Sequence, residues 1–113
     1  MPESRQAGTY LQVEEEKRLK ILSIQSGIRQ AVANAVAARK QLQRQEKARK
    51  MTQQVRHDIE LLYRTGSATL TRLNEAQTDL VRAEGLAASS RAQYLLALEK
   101  LRSESGLIAE SSD

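Results

Sequence analysis

Few side chains in this sequence are placed to do covalent chemistry. His57 is the only histidine and cysteine is absent, so one chain can assemble neither a zinc site nor a thiolate nucleophile. His57 is followed by Asp58, but residues one apart on a helix do not face each other. It reads as a solvated helix residue. The glycine-rich phosphate loops, the zinc-binding HExxH pair and the GxSxG nucleophile turn do not occur. Carboxylate pairs occur only in long helical stretches, with no pocket-forming element to tune them for acid–base work. No enzymatic activity, cofactor or metal is expected. The basic run Arg39 to Lys50 could touch phosphates. Glu46 lies inside it, no aromatic residue interleaves it, and no leucine zipper follows it. It reads as a solvated face, and nucleic acid is not an expected partner.

What these residues sit on is clearer than what they could catalyse. The chain has no Phe, no Trp and only three Tyr among 113 residues, whereas compact cores take much of their buried area from aromatic rings. Ala, Leu, Gln and charged residues dominate, which is the composition of long helices and coiled coils. The net charge of +4 permits weak attraction to polyanions without requiring it. No alternating strand-like run occurs, so no β-strand is expected. Met1–Arg5 leads into no apolar segment of signal-peptide type. No apolar run approaches the roughly 20 residues that cross a bilayer as a helix.

Pro2 is the only proline, so a glycine is the main punctuation. Gly66, in Tyr63-Arg64-Thr65-Gly66-Ser67-Ala68-Thr69, divides the chain into two arms. The expected fold is all-α: a long antiparallel helical hairpin resembling a coiled coil. Residues 1–9 are expected to be a disordered lead. Helix A should span about 10–63, the turn 64–68 and helix B about 69–105, with Gly106 as C-cap and 107–113 as a frayed tail. Ser67 or Thr69 caps helix B. Glu14, Glu15 and Glu16 suit the positive end of helix A. Gly27 costs about 1 kcal/mol relative to Ala and leaves helix A free to bend or break there.

The apolar positions of helix A read Ile28, Val32, Ala35, Ala38, Leu42, Ala48, Met51, Val55, Ile59 and Leu62, interrupted at Gln45. Arg39, Lys40, Arg44, Lys47, Arg49 and Lys50 form the outer face. Helix B is stricter. Leu73, Leu80, Ala87, Tyr94 and Leu101 recur every seven residues, with Ala76, Ala83, Ser90 and Ala97 between them. Sustained heptads argue for left-handed supercoiling, and the small seam residues argue for close helix approach. A second stripe, Leu70, Val81, Ala88, Leu95 and Leu98, runs alongside. A simple two-stranded pair needs one seam, so this stripe implies neighbours on both sides of helix B. Helix A, on the order of 80 Å long, exceeds helix B at about 55 Å. Its upper part must therefore pack on another chain, fold back or fray.

Around the turn the spacing becomes a signature. Tyr63-x-x-Gly66-x-x-Thr69-Leu70-x-x-Leu73-x-x-Ala76-Gln77 is followed by Leu80, Ala83, Tyr94-Leu95 and Gly106, and preceded by Ile28-Arg29-Gln30-Ala31. This segment, roughly residues 10–106, resembles the second periplasmic hairpin of the TolC family of outer-membrane efflux proteins. The resemblance implies a homotrimeric α-helical tunnel for export of small molecules. The hairpin tip forms its periplasmic gate and meets a periplasmic adaptor protein. It implies that Tyr63 belongs to the gate constriction, that Gly66 is the turn glycine, and that Arg64, Thr65, Ser67, Ala68, Thr69, Leu70, Arg72 and Glu75 complete the tip. Ala68 stands where family members carry an arginine that ties the gate shut, a bond alanine cannot make. Glu75 keeps the acidic sign expected at the pore and Arg72 reverses it. The family crosses the outer membrane on β-barrel strands that this chain lacks. By this reading it is a fragment, a truncated reading frame or a free-standing hairpin of the outer membrane and periplasm. Two other readings stay open. The coiled-coil hairpin of a periplasmic adaptor should carry lipoyl-like strands on its flanks and an Arg-Leu-Ser spacing at its tip, and neither is present. In a structural oligomerisation module Gly66 would be only a connector and Tyr63 only a packing residue.

Overall fold

The computed structural model describes the backbone of residues 2–111 and the side chains of residues 6–107. It contains two helices, α1 (Pro2–Arg64) and α2 (Leu70–Ser111), and the described residues include no strand. The fold is all-α, an elongated hairpin 96 × 20 × 13 Å. The helices run antiparallel. Arg56 bonds to Gln77, Glu46 pairs with Arg91, and Gly27 lies beside Glu104, so α2 numbers rise as α1 numbers fall.

Both helices extend beyond the spans read from sequence. α1 starts at Pro2, so residues 2–9, read as a disordered lead, are helical. Proline is tolerated in the first helical turn, where its missing N–H has no partner to lose. α2 passes through Gly106, read as its C-cap, and continues to Ser111. Residues 107–111, read as a frayed tail, are therefore helical; Ser112 and Asp113 lie outside the described residues. α1 also passes Gly27 unbroken. An added Cβ there would sit 2.8 Å from Glu104 Oε2, so the missing side chain lets that carboxylate lie against the α1 backbone.

The seam on α2 consists of Leu73, Ala76, Leu80, Ala83, Ala87, Ser90, Tyr94, Ala97, Leu101 and Glu104; every other described α2 side chain is exposed. Ala87 is 1% exposed and Ala76 2%. The α1 seam is Ile24, Ile28, Ala31, Ala35, Ala38, Leu42, Gln45, Arg49, Thr52, Arg56 and Ile59, in steps of four and three throughout. This corrects the stripe read from the apolar residues. Val32, Met51, Val55 and Leu62 are exposed large hydrophobics, Ala48 is also exposed, and Arg49 is half-buried in the seam rather than on the outer face. The physical reason is the size of the opposing residues. Small α2 side chains leave room for the methylene stems of Gln45, Arg49 and Arg56, which bury carbon while keeping their heads wet.

The two arginine heads are paired. Arg49 bonds Glu46 through Nε at 3.1 Å and Nη2 at 3.0 Å, and Arg91 of α2 reaches the other oxygen of the same carboxylate. The Arg49 hydrogen bond, reinforced by the charges of Arg49 and Arg91, outweighs desolvation and holds Glu46 below the usual carboxylate range. No buried side-chain nitrogen or oxygen among the described residues lacks a partner.

α2 ends before α1 does. Every described α1 side chain from Gln6 to Ser23 is exposed, including Tyr10, Leu11, Leu19 and Leu22.

Two measurements test the seam. Ala87→Leu should overpack it, costing about 1–3 kcal/mol, whereas Leu96→Ala, at a position 71% exposed, should change stability by less than about 0.5 kcal/mol; thermal melts followed by circular dichroism compare them. Because the folded pKa of Glu46 is lowered, its stabilising contribution is complete above the unfolded value and is lost as pH falls through the folded one. Denaturant titrations from pH 7 to pH 3 should therefore show a steeper acid loss in the natural chain than in Glu46→Gln.

Candidate functional site

The hairpin tip is built by two caps with one residue of left-handed backbone between them. α1 ends with the amide of Ser67 donating to the Leu62 carbonyl at 2.8 Å and that of Gly66 donating to the Tyr63 carbonyl at 3.1 Å. This double bond pattern is the Schellman termination, which needs a left-handed residue at its pivot. Gly66 supplies it with φ +82°, the only positive φ among the described residues. An added Cβ at Gly66 would meet nothing within 4 Å. The demand for glycine there is conformational, not spatial. Thr65 Oγ1 also donates to the Leu62 carbonyl at 3.0 Å.

α2 starts with Thr69 as its cap. Thr69 Oγ1 accepts from the Arg72 amide at 3.1 Å, and its carbonyl accepts the first helical bond from Leu73. This satisfies an amide otherwise left open at a helix start. Of the two caps the sequence allows, Thr69 is used. Ser67 instead supplies the backbone amide that closes α1.

Around these caps the tip is exposed. Tyr63 is 40% and Leu70 54% exposed; Thr65, Gly66, Ser67 and Thr69 are open to solvent and Ala68 is half-buried. Arg64 pairs back to Glu60 at 3.0 Å, a carboxylate shared with Arg56 at 3.4 Å. Arg72 and Glu75 face each other at 3.7 Å across one helical turn. The acidic and basic tip residues thus neutralise one another locally, at surface exposures where such pairs are worth little. The ten tip residues marked by the resemblance span one contiguous end of the rod, from the last residues of α1 to the first turns of α2. No cluster of His, Cys, Asp or Glu suited to a metal ion occurs among the described residues.

The stripe Leu70, Val81, Ala88, Leu95 and Leu98 lies wholly outside the α1–α2 seam. Val81 is 58%, Leu95 59% and Leu98 38% exposed, and Ala88 is exposed too. Further apolar side chains were missed because they fall outside the stripe expected on helix B. Leu86 and Leu96 of α2 are 49% and 71% exposed. Their spacing from the seam, one residue before Ala87 and one before Ala97, was the available signal.

Comparison with known protein families, curated proteins and solved structures finds no match. Among the described residues no helix is long and apolar enough to cross a membrane.

The tip geometry predicts a graded response to substitution. Gly66→Ala should cost about 1–2 kcal/mol, the left-handed penalty of an L-residue, and Gly66→Asn less. Thr69→Ala should cost about 1 kcal/mol. Denaturant unfolding measures all three, and equal stability of Gly66→Ala and the natural chain would contradict the assignment.

Proposed function

We infer that this chain is a stave of a TolC-type efflux channel, contributing periplasmic tunnel wall and, at its tip, the surface that gates the tunnel and docks an adaptor. The observation that carries this reading is the exposed second stripe on α2. With the α1 seam satisfied, Leu70, Val81, Leu95 and Leu98 remain in water, and a row of large aliphatic side chains at helical spacing marks an interaction face. A helix with seams on two sides is what a wall of helices requires. The joint spacing Tyr63, Gly66, Thr69, Leu70, Leu73, Ala76 and Gln77 supports the family.

In this function the chain performs no chemistry. Conduction is passive, and energy enters from a pump partner through the adaptor. Tyr63 contributes to the constriction and Gly66 sets the angle at which the two arms meet it. Because Ala68 lacks a hydrogen-bonding side chain, a latch between neighbouring tips cannot be formed there. Arg72 and Glu75 make the pore-facing charge mixed instead of uniformly acidic. The assembly is a homotrimer of whole channel protomers spanning periplasm and outer membrane, with export of small molecules as its outcome.

Replacing the second hairpin of a TolC-type channel by residues 28–106 of this chain tests the reading. The graft should restore drug efflux in cells lacking the native channel. Tyr63→Ala in the graft should raise passive leak or abolish adaptor crosslinking at the tip. A graft that inserts as a trimer yet restores no efflux would contradict the channel reading. Unchanged leak and docking in Tyr63→Ala would favour the structural-module reading, in which Tyr63 only packs.

A further inference from the structure

The flank of the hairpin opposite the α2 stripe carries a groove that the channel reading leaves unused. Gln45, Thr52 and Ala83 line its base, while Met51, Val55 and Leu86 stand along it at 62%, 46% and 49% exposure. Asp79 and Arg82 also line it, and neither has an ion-pair partner among the described residues.

The side chains here are complementary to their own reversal. On α1 the residues at spacings of three and four along this flank are Arg44, Ala48, Met51, Val55 and Asp58. Turned end for end about Met51, Arg44 falls on Asp58 and Ala48 comes within one residue of Val55. On α2 the same rotation exchanges Asp79 with Arg82, and the groove itself sets those two level with Met51. One two-fold axis therefore matches opposite charges on both helices at once. A parallel pairing would set Arg44 against Arg44 and Asp58 against Asp58, and like charges at an interface are a strong bar.

We propose that this groove seats a second copy of the same chain, packed antiparallel about a two-fold axis beside Met51. The contact is self-complementary, as two-fold interfaces are. Met51 of each copy fills the space over the small Ala48 of the other. Arg44 meets Asp58 of the other copy, and Asp79 meets its Arg82. The result is a four-helix layer around the groove, with the tips at opposite ends. The pairing goes beyond the channel reading and does not rest on it, since the neighbours there use the opposite flank.

The absence of cysteine makes the test direct. Ala48→Cys and Val55→Cys are prepared separately in the full chain, with Leu96→Cys as a surface control. Under mild oxidation an equimolar mixture of the first two should form the mixed disulfide at least tenfold faster than either forms its own. Ala48→Cys crosslinking to itself as fast as the mixture would overturn the antiparallel arrangement. Crosslinking no faster than the Leu96→Cys control would overturn the dimer. Sedimentation provides the second arm. Arg82→Asp should weaken association at least tenfold, and the swap Asp79→Arg with Arg82→Asp should restore it; failure of the swap to restore it would overturn the charge register. Circular dichroism on each variant establishes that the hairpin is folded, and efflux by the grafted channel is untouched by any of these results.

Discussion

Close approach along a seam of small residues is the constraint on which the rest of this structure depends. Ala31, Ala35, Ala76, Ala83, Ala87 and Ser90 are buried, with only Ile59 and Leu80 as large aliphatic members of the same set. Among the described residues no large side chain is fully buried. Each layer removes little apolar area from water, so hydrophobic transfer contributes modestly per layer. Cohesion comes from many short-range dispersion contacts between closely spaced helices and from the high helix propensity of alanine. Many of the larger aliphatic residues, Val32, Val36, Met51, Val55, Val81, Leu86, Leu95 and Leu96 among them, are carried on the outside. Exposed apolar flanks are thus the counterpart of an alanine seam.

A seam of alanines alone would hold its helices in more than one register. The middle of this hairpin supplies what the alanines do not. Glu46 receives Arg49 from its own helix and Arg91 from the other, and Arg56 reaches Gln77 across the interface. Such polar contacts add little net stability when half-exposed, but they penalise a shift by one heptad, the use for which polar seam residues are best attested. Register in turn decides where the turn closes. Gly66 and Thr69 can terminate and restart the helices only if the two seams end at the same level, and Ile59 and Leu73 are the last seam residues on either side.

The sequence made α2 readable because its seam is apolar at nearly every heptad position, and the tip readable because glycine and threonine have distinct backbone chemistry. The mid-section of α1 was not readable by apolar spacing. Gln45, Arg49, Thr52 and Arg56 occupy its seam, while Ala48, Met51 and Val55, which look like core, face water. Partner size decides that outcome, and partner size lies on the other helix. Helix ends were misplaced for a simpler reason: Gly8 and Gly106 weaken a helix without stopping it, and no proline follows Pro2. The function of the tip rests on the joint spacing of residues 63 to 77. Its geometry alone, two caps and exposed side chains, fits a docking end as readily as a plain connector.

The most direct test of the account is one distance. Spin labels at Arg29 and Arg102, both exposed and on different arms, can be measured by pulsed dipolar spectroscopy in chain diluted with unlabelled protein. A hairpin that reverses at Gly66 predicts a single narrow distribution under about 30 Å, from helix axes about 8–10 Å apart plus the label arms. A rod that continued straight through residues 64–70 would separate the sites by on the order of 100 Å. A long or broad distribution would contradict the seam, the turn and every surface argued from them.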